Sequence, residues 1–451
     1  MELSVAVEAQ IAQGVIAAVR AELQGIGEKA TVRLAEVEGA LQRAMRQAGA
    51  ACLEAVLAGV GTGYVGSTRP CGCGAEQSTD HYAVGTWQTL LGKVTLRRAA
   101  YHCPTCDAHA IPLDDQFGLT DDRTSPLLGA LLSRYCATVP FAEACTLLDA
   151  ATGLDVSPKR AQLVSEALGQ RLEQQHAQPL AVLPDCGPSR LYLGIDGVLY
   201  STTERAADRT LLWREAKVGV LFTALPRGAP TTGRRSHLSP TGPAIDVADP
   251  QSHSYVVQMG DVQSFAAKLW QELVRRGIEH VDEIILLSDG AEWIETVRDL
   301  LLRGLTARVV HILDFRHAQE HLWDVARTCL GDDAADWIRD PLGYLEQGRV
   351  DDLVRVIQSL PTPTDEEAEA VRITSTYFAK RRAMLDYPHF RSLGYQIGSG
   401  LAESACKRLV SQREKGAGMH WTVPGAQAIA TLRAAHLCDQ WQEVIDLACA
   451  A

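Results

Sequence analysis

Three carboxylates stand out because of what surrounds them. Asp196 interrupts an apolar run, Leu191-Tyr-Leu-Gly-Ile-Asp196-Gly-Val-Leu-Tyr, and Asp289 ends another, Glu283-Ile-Ile-Leu-Leu-Ser-Asp289-Gly. Glu403 opens a helical pattern directly after the glycine-punctuated turn Gly398-Ser-Gly400. An aspartate in an apolar strand is costly unless its charge is matched. Two on adjacent strands repel, and a third carboxylate adds to the repulsion. Divalent cations resolve that conflict: Mg²⁺ or Mn²⁺ takes a few carboxylates together with waters and phosphate oxygens. An open cluster of three acids therefore suits two ions bridged by a phosphodiester. Each acid also has a plainer reading, as a strand-end turn at Asp196-Gly197 or Asp289-Gly290 or as a surface pair between Glu403 and Lys407.

A second chemistry lies in Cys71-Gly-Cys73 and Cys103-Pro-Thr-Cys106. Two short cysteine pairs flanking strands suit a tetrahedral, structural Zn²⁺ site, because four thiolates must converge from two tight knuckles. His102 and His109 are alternative ligands. The other cysteines are scattered singly through apolar stretches and read as plain buried thiols in a reducing compartment.

The elements that must position these residues follow from periodicity. Residues 1 to about 60 read as helix broken near Gly25 and Gly27, with Leu34, Val37, Leu41 and Met45 at helical spacing, either packing on the rest of the chain or forming a dimerisation helix. Thr86–Leu91 and Lys93–Arg98 alternate and read as a hairpin turning at Gly92. From 119 to 180 the pattern is helical, and Phe141–Leu148, a turn at Gly153 and a capped helix from Ser157 resemble a helix-turn-helix. Lys159 and Arg160, at the start of its second helix, would face DNA. From Arg190 onward three strands, a helix, a strand, a helix and a strand follow, which is the order of an RNase H-like sheet whose first and fourth strands are neighbours. Residues 226 to 250 read as a loop. After Phe315-Arg-His317 about 75 residues are helix-like, too long and periodic for a loop.

At 451 residues, 46% of them hydrophobic, the chain has room for two to four domains. No apolar run is long enough for a membrane span, and Met1-Glu-Leu-Ser-Val-Ala lacks signal-peptide character, so the expected compartment is the cytoplasm. The net charge of −12 argues against a general nucleic-acid binder. Between Arg372 and His420, however, basic residues outnumber acids, and a DNA path there is electrostatically allowed.

Gly194-Ile-Asp196-Gly, Ser288-Asp289-Gly-Ala-Glu-Trp293, Ile312-Leu-Asp314-Phe-Arg-His317-Ala-Gln-Glu-His321-Leu, Ile397-Gly-Ser-Gly-Leu-Ala-Glu403-Ser-Ala-Cys-Lys407 and Gly416-Ala-Gly-Met-His-Trp421 resemble the DDE transposases of bacterial insertion sequences, specifically the ISKra type. The resemblance covers roughly residues 70 to 440. It implies metal-dependent cutting and joining of element ends, with Asp196, Asp289 and Glu403 as the catalytic triad on Mg²⁺. It also implies double-stranded DNA as partner (terminal inverted repeats and target) and a dimer or higher oligomer on DNA. Asp314 is either a helix cap or the runner-up metal ligand. His317 follows it as in the Asp-x-x-His pairs of related transposases, and Lys407 and Arg413 suit phosphate contact or a solvated surface.

The expected fold is α+β and multidomain: helices over 1–62, a zinc-ribbon-like module over 63–118 and a helix-turn-helix-like segment over 119–180. An RNase H-like core follows in two parts, 188–318 and 396–451, the latter including a C-terminal helix, with an all-α insertion at 319–395. A catalytically silent DNA-binding protein and a nuclease without joining activity are the competing readings.

Overall fold

The computed structural model describes residues 5–27, 31–225 and 245–450. They form a mixed α/β molecule of two compact units, residues 1–172 with 439–451, and residues 173–438. The expected loop around 226–250 falls largely outside the described residues.

In the first unit, helices Val5–Gly27 and Leu34–Val60 fold back on each other, Arg43 Nε donating to Glu22 at 2.9 Å. The buried stripe of the second helix is Ala40, Ala44 and Ala48, while Leu41 and Met45 are 37% and 46% exposed. Spacing alone put the larger side chains inside; small alanines let helices approach closely, and the larger residues are left on the outside. The end of this helix covers a hairpin, Ala50, Leu53 and Leu57 packing on Trp87, Val94 and Leu96.

That hairpin belongs to a four-stranded antiparallel sheet, β1 (Thr68–Pro70), β2 (Glu76–Thr89), β3 (Gly92–His102) and β4 (His109–Ala110), in that order. Helices Pro126–Cys136, Phe141–Thr152 and Pro158–His176 follow, the second closed by left-handed Gly153 (φ 67°). They share a core of Leu128, Leu132, Ala144, Leu148, Leu154 and Val156. The C-terminal helix Trp441–Cys449 joins this unit: Arg171 Nη2 donates to Leu447 O at 2.6 Å, and Arg134 lies over the Trp441 ring. By contact, the N-terminal, cysteine-bearing and helical segments group as one compact unit, and residues 439–451 group with them.

The second unit is built on a five-stranded mixed sheet. Its strands are β5 (Arg190–Arg205), β6 (Leu211–Phe222), β9 (Ser254–Met259), β10 (Glu283–Ser288) and β11 (Arg308–Leu313); β7 (Ala224–Leu225) and β8 (Val247–Ala248) pair separately. The order is β11-β10-β5-β6-β9. β6 runs antiparallel to both of its neighbours, β5 and β9, whereas β10 and β11 run parallel to β5. Helices Val262–Arg275 and Glu292–Leu301 cover one face, where Leu191, Leu193, Ile195 and Leu286 meet Phe265, Leu269, Ile294 and Val297. Helix Val423–Leu437 is buried almost throughout, and its Gln427 accepts from Met259 N at 2.8 Å and donates to Val257 O at 3.1 Å. Those bonds occupy backbone groups of edge strand β9 that would otherwise template association. Between β11 and Gly398 the described chain is helical, with Phe315–Leu330, Val350–Gln358 and Asp365–Lys380 its longest members.

Candidate functional site

Strand register places the two aspartates. β5 and β10 are parallel partners with Leu287 opposite Gly194; two residues further along each lie Asp289 and Asp196. Side chains alternate across a strand, so with Leu193 and Ile195 in the helix-covered core, Gly194 and Asp196 face the other way. Each aspartate is fixed by a backbone N–H that follows it: Asp196 Oδ1 accepts from Gly197 at 2.7 Å, and Asp289 Oδ1 from Ala291 at 2.9 Å. Burial raises the Asp196 carboxyl above its ordinary range, and the nearby Asp289 adds to that; the Gly197 N–H, the Cys406 thiol and His317 work against it.

Glu403 reaches the same face on helix Gly400–Cys406, which runs on through a π-helical turn, Lys407–Ser411, to Glu414. Gly194 makes room for it. A Cβ there would lie 3.2 Å from Ala402 Cβ and 3.0 Å from Val220 Cγ1. One turn beyond Glu403, the buried Cys406 thiol donates to Asp196, and burial followed by the Asp196 charge keeps that thiol protonated. His317 completes the group, its Nε2 3.7 Å from Glu403 Oε1 and its Nδ1 3.3 Å from Glu320 Oε2. Asp196 and Asp289 are half-buried and Glu403 is exposed. Among the described residues, the sets of three or more ligand atoms within 4.8 Å of one another lie elsewhere, so Asp196, Asp289 and Glu403 do not close on a single point.

Asp314 is no spare ligand. It is 1% exposed, caps helix Phe315–Leu330 by accepting from Arg316 N at 2.6 Å and His317 N at 2.9 Å, and takes the Ser399 N–H on its other oxygen. Both oxygens are committed to backbone, and the runner-up reading as a metal ligand is corrected. Beside it, Phe315 N donates to Ile397 O at 3.0 Å. The turn before Glu403 is thus held by Asp314. The chain does not use the left-handed freedom of Gly398 or Gly400, neither of which has positive φ, and Ser399 makes no side-chain cap.

Sequence reasoning missed two supporting residues on helix Asp365–Lys380 and its end. Tyr377 OH donates to Asp289 O at 2.8 Å, and Arg381 Nε donates to Gly290 O at 2.9 Å while its guanidinium stacks 4.1 Å over the Tyr377 ring. Gly290 is left-handed (φ 78°), and any Cβ there would collide with Arg381. The four-residue spacing of Tyr377 and Arg381 was visible; that both point at the Asp289 turn was not.

The basic stretch is corrected in part. Arg413 is 1% exposed and stacks 5.0 Å over Trp421, so it is a core residue and not a phosphate contact. Arg372 and Arg382 pair with Glu369 and Asp351. Lys407 is exposed at the start of the π-helical turn that follows the Glu403 helix. Trp421 is buried and donates Nε1 to Glu414 O at 3.0 Å, and Trp293 packs edge-on to Phe265. In the first unit Lys159 is exposed and Arg160 half-buried at the start of helix Pro158–His176, joined to Phe141–Thr152 by the short turn at Gly153.

The four cysteines do meet. Cys71 Sγ is 3.6 Å from Cys106 Sγ and Cys73 Sγ is 3.7 Å from Cys103 Sγ, and all four sulfurs lie within 4.8 Å of one another. Zn–S bonds of about 2.3 Å in a tetrahedron give sulfur separations of about 3.8 Å, so the cluster has the size to hold a structural metal such as zinc. Its knuckles close through Gly74 N to Cys71 O at 3.0 Å and Asp107 N to Cys103 O at 2.9 Å. The Cys106 backbone N–H leads in lowering the Cys103 thiol from 9.0 to about 6. The Ala108 N–H pulls Cys106 down, but the three neighbouring thiols outweigh it and push Cys106 up to about 12. His102 and His109 are not needed as ligands; they stack on each other beside Asp107.

Compared with protein-family models and with curated proteins, the chain matches none.

Proposed function

We propose that the chain is a DDE-type DNA transposase that cuts insertion-sequence ends and joins them to target DNA. The observation that carries this reading is that Asp196 and Asp289 lie at matching points of neighbouring parallel strands, while the helix bearing Glu403 packs over Gly194 of the same strand as Asp196. The strand order β11-β10-β5-β6-β9, three antiparallel strands followed by two parallel ones, is what an RNase H-like core requires, and the helices between β11 and Gly398 fit an insertion within it.

The donor set is all hard oxygen, half-buried to exposed, which fits Mg²⁺ or Mn²⁺ better than Zn²⁺. Asp196, Asp289 and Glu403 would hold the ions, which would activate the attacking water or 3′-hydroxyl and steady the leaving oxygen. The protein's own contribution is positional. Two backbone N–H groups fix the aspartate rotamers, Cys406 steadies Asp196, and Asp314 locks the turn from which Glu403 projects. His317, against Glu403, is placed to orient that carboxylate. In this reading Zn²⁺ on the four cysteines is structural, Lys159, Arg160 and Lys407 contact DNA phosphates, and the enzyme acts as a dimer or higher oligomer in the bacterial cytoplasm.

Incubation of the protein with Mg²⁺ or Mn²⁺ and labelled DNA carrying the inverted repeats that flank its coding sequence tests this. Cleavage with strand transfer is expected. Cleavage alone would make it a nuclease, and binding without cleavage a silent DNA-binding protein.

A further inference from the structure

Outside the four-cysteine cluster, one other group of metal-ligating atoms comes together among the described residues: His102, Asp107 and His109, each offering one ligand atom within 4.8 Å of the others. They converge because of the sheet. His102 ends β3 and His109 begins β4, and the two are direct partners in the antiparallel register. Their rings stack with centroids 4.6 Å apart and planes 27° from parallel. Asp107 is brought to them by the second cysteine knuckle, where it takes the left-handed region (φ 58°) that aspartate enters more readily than most residues. Its Oδ1 lies 2.8 Å from His102 Nε2.

An ordinary ion pair accounts poorly for this arrangement. The Asp107 side chain is 92% exposed, and exposed pairs contribute little to stability. A divalent ion accounts for the arrangement, since two imidazole nitrogens and a carboxylate oxygen, all within 4.8 Å of one another, are a donor set that a single ion would draw together. A nitrogen and an oxygen bound to one tetrahedral zinc lie about 3.4 Å apart, given metal–ligand distances of about 2.0–2.2 Å, so the His102–Asp107 pair, at 2.8 Å, would open by about 0.6 Å to admit the ion.

We propose that His102, Asp107 and His109 form a second transition-metal site in the cysteine module, separate from the tetrathiolate. Its two nitrogens and one oxygen suit Zn²⁺, and three protein ligands leave a coordination position open to water or an added anion. Being exposed and free of thiolate, it binds more weakly and exchanges faster than the four-cysteine site. It also ties β3 to β4 at the point where the knuckle leaves the sheet.

Equilibrium dialysis of the full chain against micromolar Zn²⁺, followed by elemental analysis, tests this in the wild type, His109→Ala and Asp107→Asn. The carboxylates of the second unit are identical in all three, so any zinc they take cancels in the comparison. The wild type should hold one equivalent more than either variant. In Co²⁺-substituted protein, the sulfur-to-cobalt charge-transfer band should be unchanged by either substitution, showing that the tetrathiolate and its fold persist. Equal zinc content in the three proteins overturns the proposal. Loss of the thiolate band in His109→Ala also overturns it, because the residue would then serve the cysteine knuckle.

Discussion

Asp314 accepts the backbone N–H of Ser399, 85 residues further along the chain, with the oxygen left over from capping its own helix. One buried carboxylate therefore fixes both the helix that carries His317 and the turn that launches Glu403. Asp314→Ala removes three hydrogen bonds and leaves a buried N–H without a partner, so a loss of about 2–4 kcal/mol is expected. Asp314→Asn keeps an oxygen for the cap but turns an N–H toward Ser399. It should fold, melt a few degrees lower, and lose DNA cleavage out of proportion to that shift. Thermal denaturation and a cleavage assay on the same preparations check both.

The acids themselves should behave in the opposite way. Asp196→Asn, Asp289→Asn and Glu403→Gln are each expected to abolish cleavage, by a factor of about 10³ or more, in keeping with loss of a group that acts as part of a unit. Without divalent metal, none should lower the melting temperature, because each substitution relieves repulsion among neighbouring carboxylates. A substitution that removed both activity and stability would mark that acid as structural.

Asp196 also sets a pH signature. Its folded carboxyl titrates above the unfolded value, first because of burial and then because of Asp289. Between those two values the folded state binds more protons than the unfolded one, so stability falls as pH rises. Its contribution is fully present below the unfolded value of about 3.9 and is lost as pH rises through the folded one. The stability advantage of metal-free Asp196→Asn over wild type should therefore be smallest in acid and grow toward neutrality. Mg²⁺ should abolish the trend by stabilising the charged form. Urea titrations from pH 4 to 8, with and without metal, measure it.

Zinc at the cysteines predicts a different profile. Protons compete for all four thiolates, the raised Cys106 already above neutrality and the lowered Cys103 only near 6, so affinity should fall throughout as pH falls and most steeply below about 6. Cys103→Ser, or chelation, should remove one zinc that the wild type retains through dialysis. Either should also lower the melting of the unit formed by residues 1–172 and 439–451 by about 10 °C, leaving the sheet unit's transition in place.

What the chain revealed in advance was whatever local chemistry writes down. Alternation and apolar runs gave the strands, the order of the elements gave the pairing of β10 with β5, and cysteine spacing gave the cluster. Close packing was harder to read. The alanine stripe of Leu34–Val60 is buried while Leu41 and Met45 are not, since helix periodicity identifies a face but not which face a neighbour can approach. Arg413 looked like a solvated charge because nothing local announces that Trp421 will cover it. Asp314 was ambiguous for a related reason: a cap and a ligand have the same sequence signature, and only the distant Ser399 decides between them.

Gly194 is the residue whose importance is least visible in one dimension, and it offers the sharpest test. Its missing side chain lets the Glu403 helix lie on β5, where a Cβ would stand 3.2 Å from Ala402 Cβ and 3.0 Å from Val220 Cγ1. Its backbone itself has no need of glycine, since φ is not positive. Gly194→Ala should therefore cost only about 1 kcal/mol, as a small overpacking, yet displace the helix by a few tenths of an ångström. Gly194→Val should cost about 2–3 kcal/mol and shift it further. Because a positioned carboxylate loses rate steeply with small displacements, cleavage should fall about tenfold in Gly194→Ala and far more in Gly194→Val. Adding Ala402→Gly removes the opposing methyl and should restore much of the activity of Gly194→Ala, even though glycine in a helix costs some stability itself. A double-mutant cycle in which the two substitutions are additive for activity would show that the helix does not rest on Gly194 in solution.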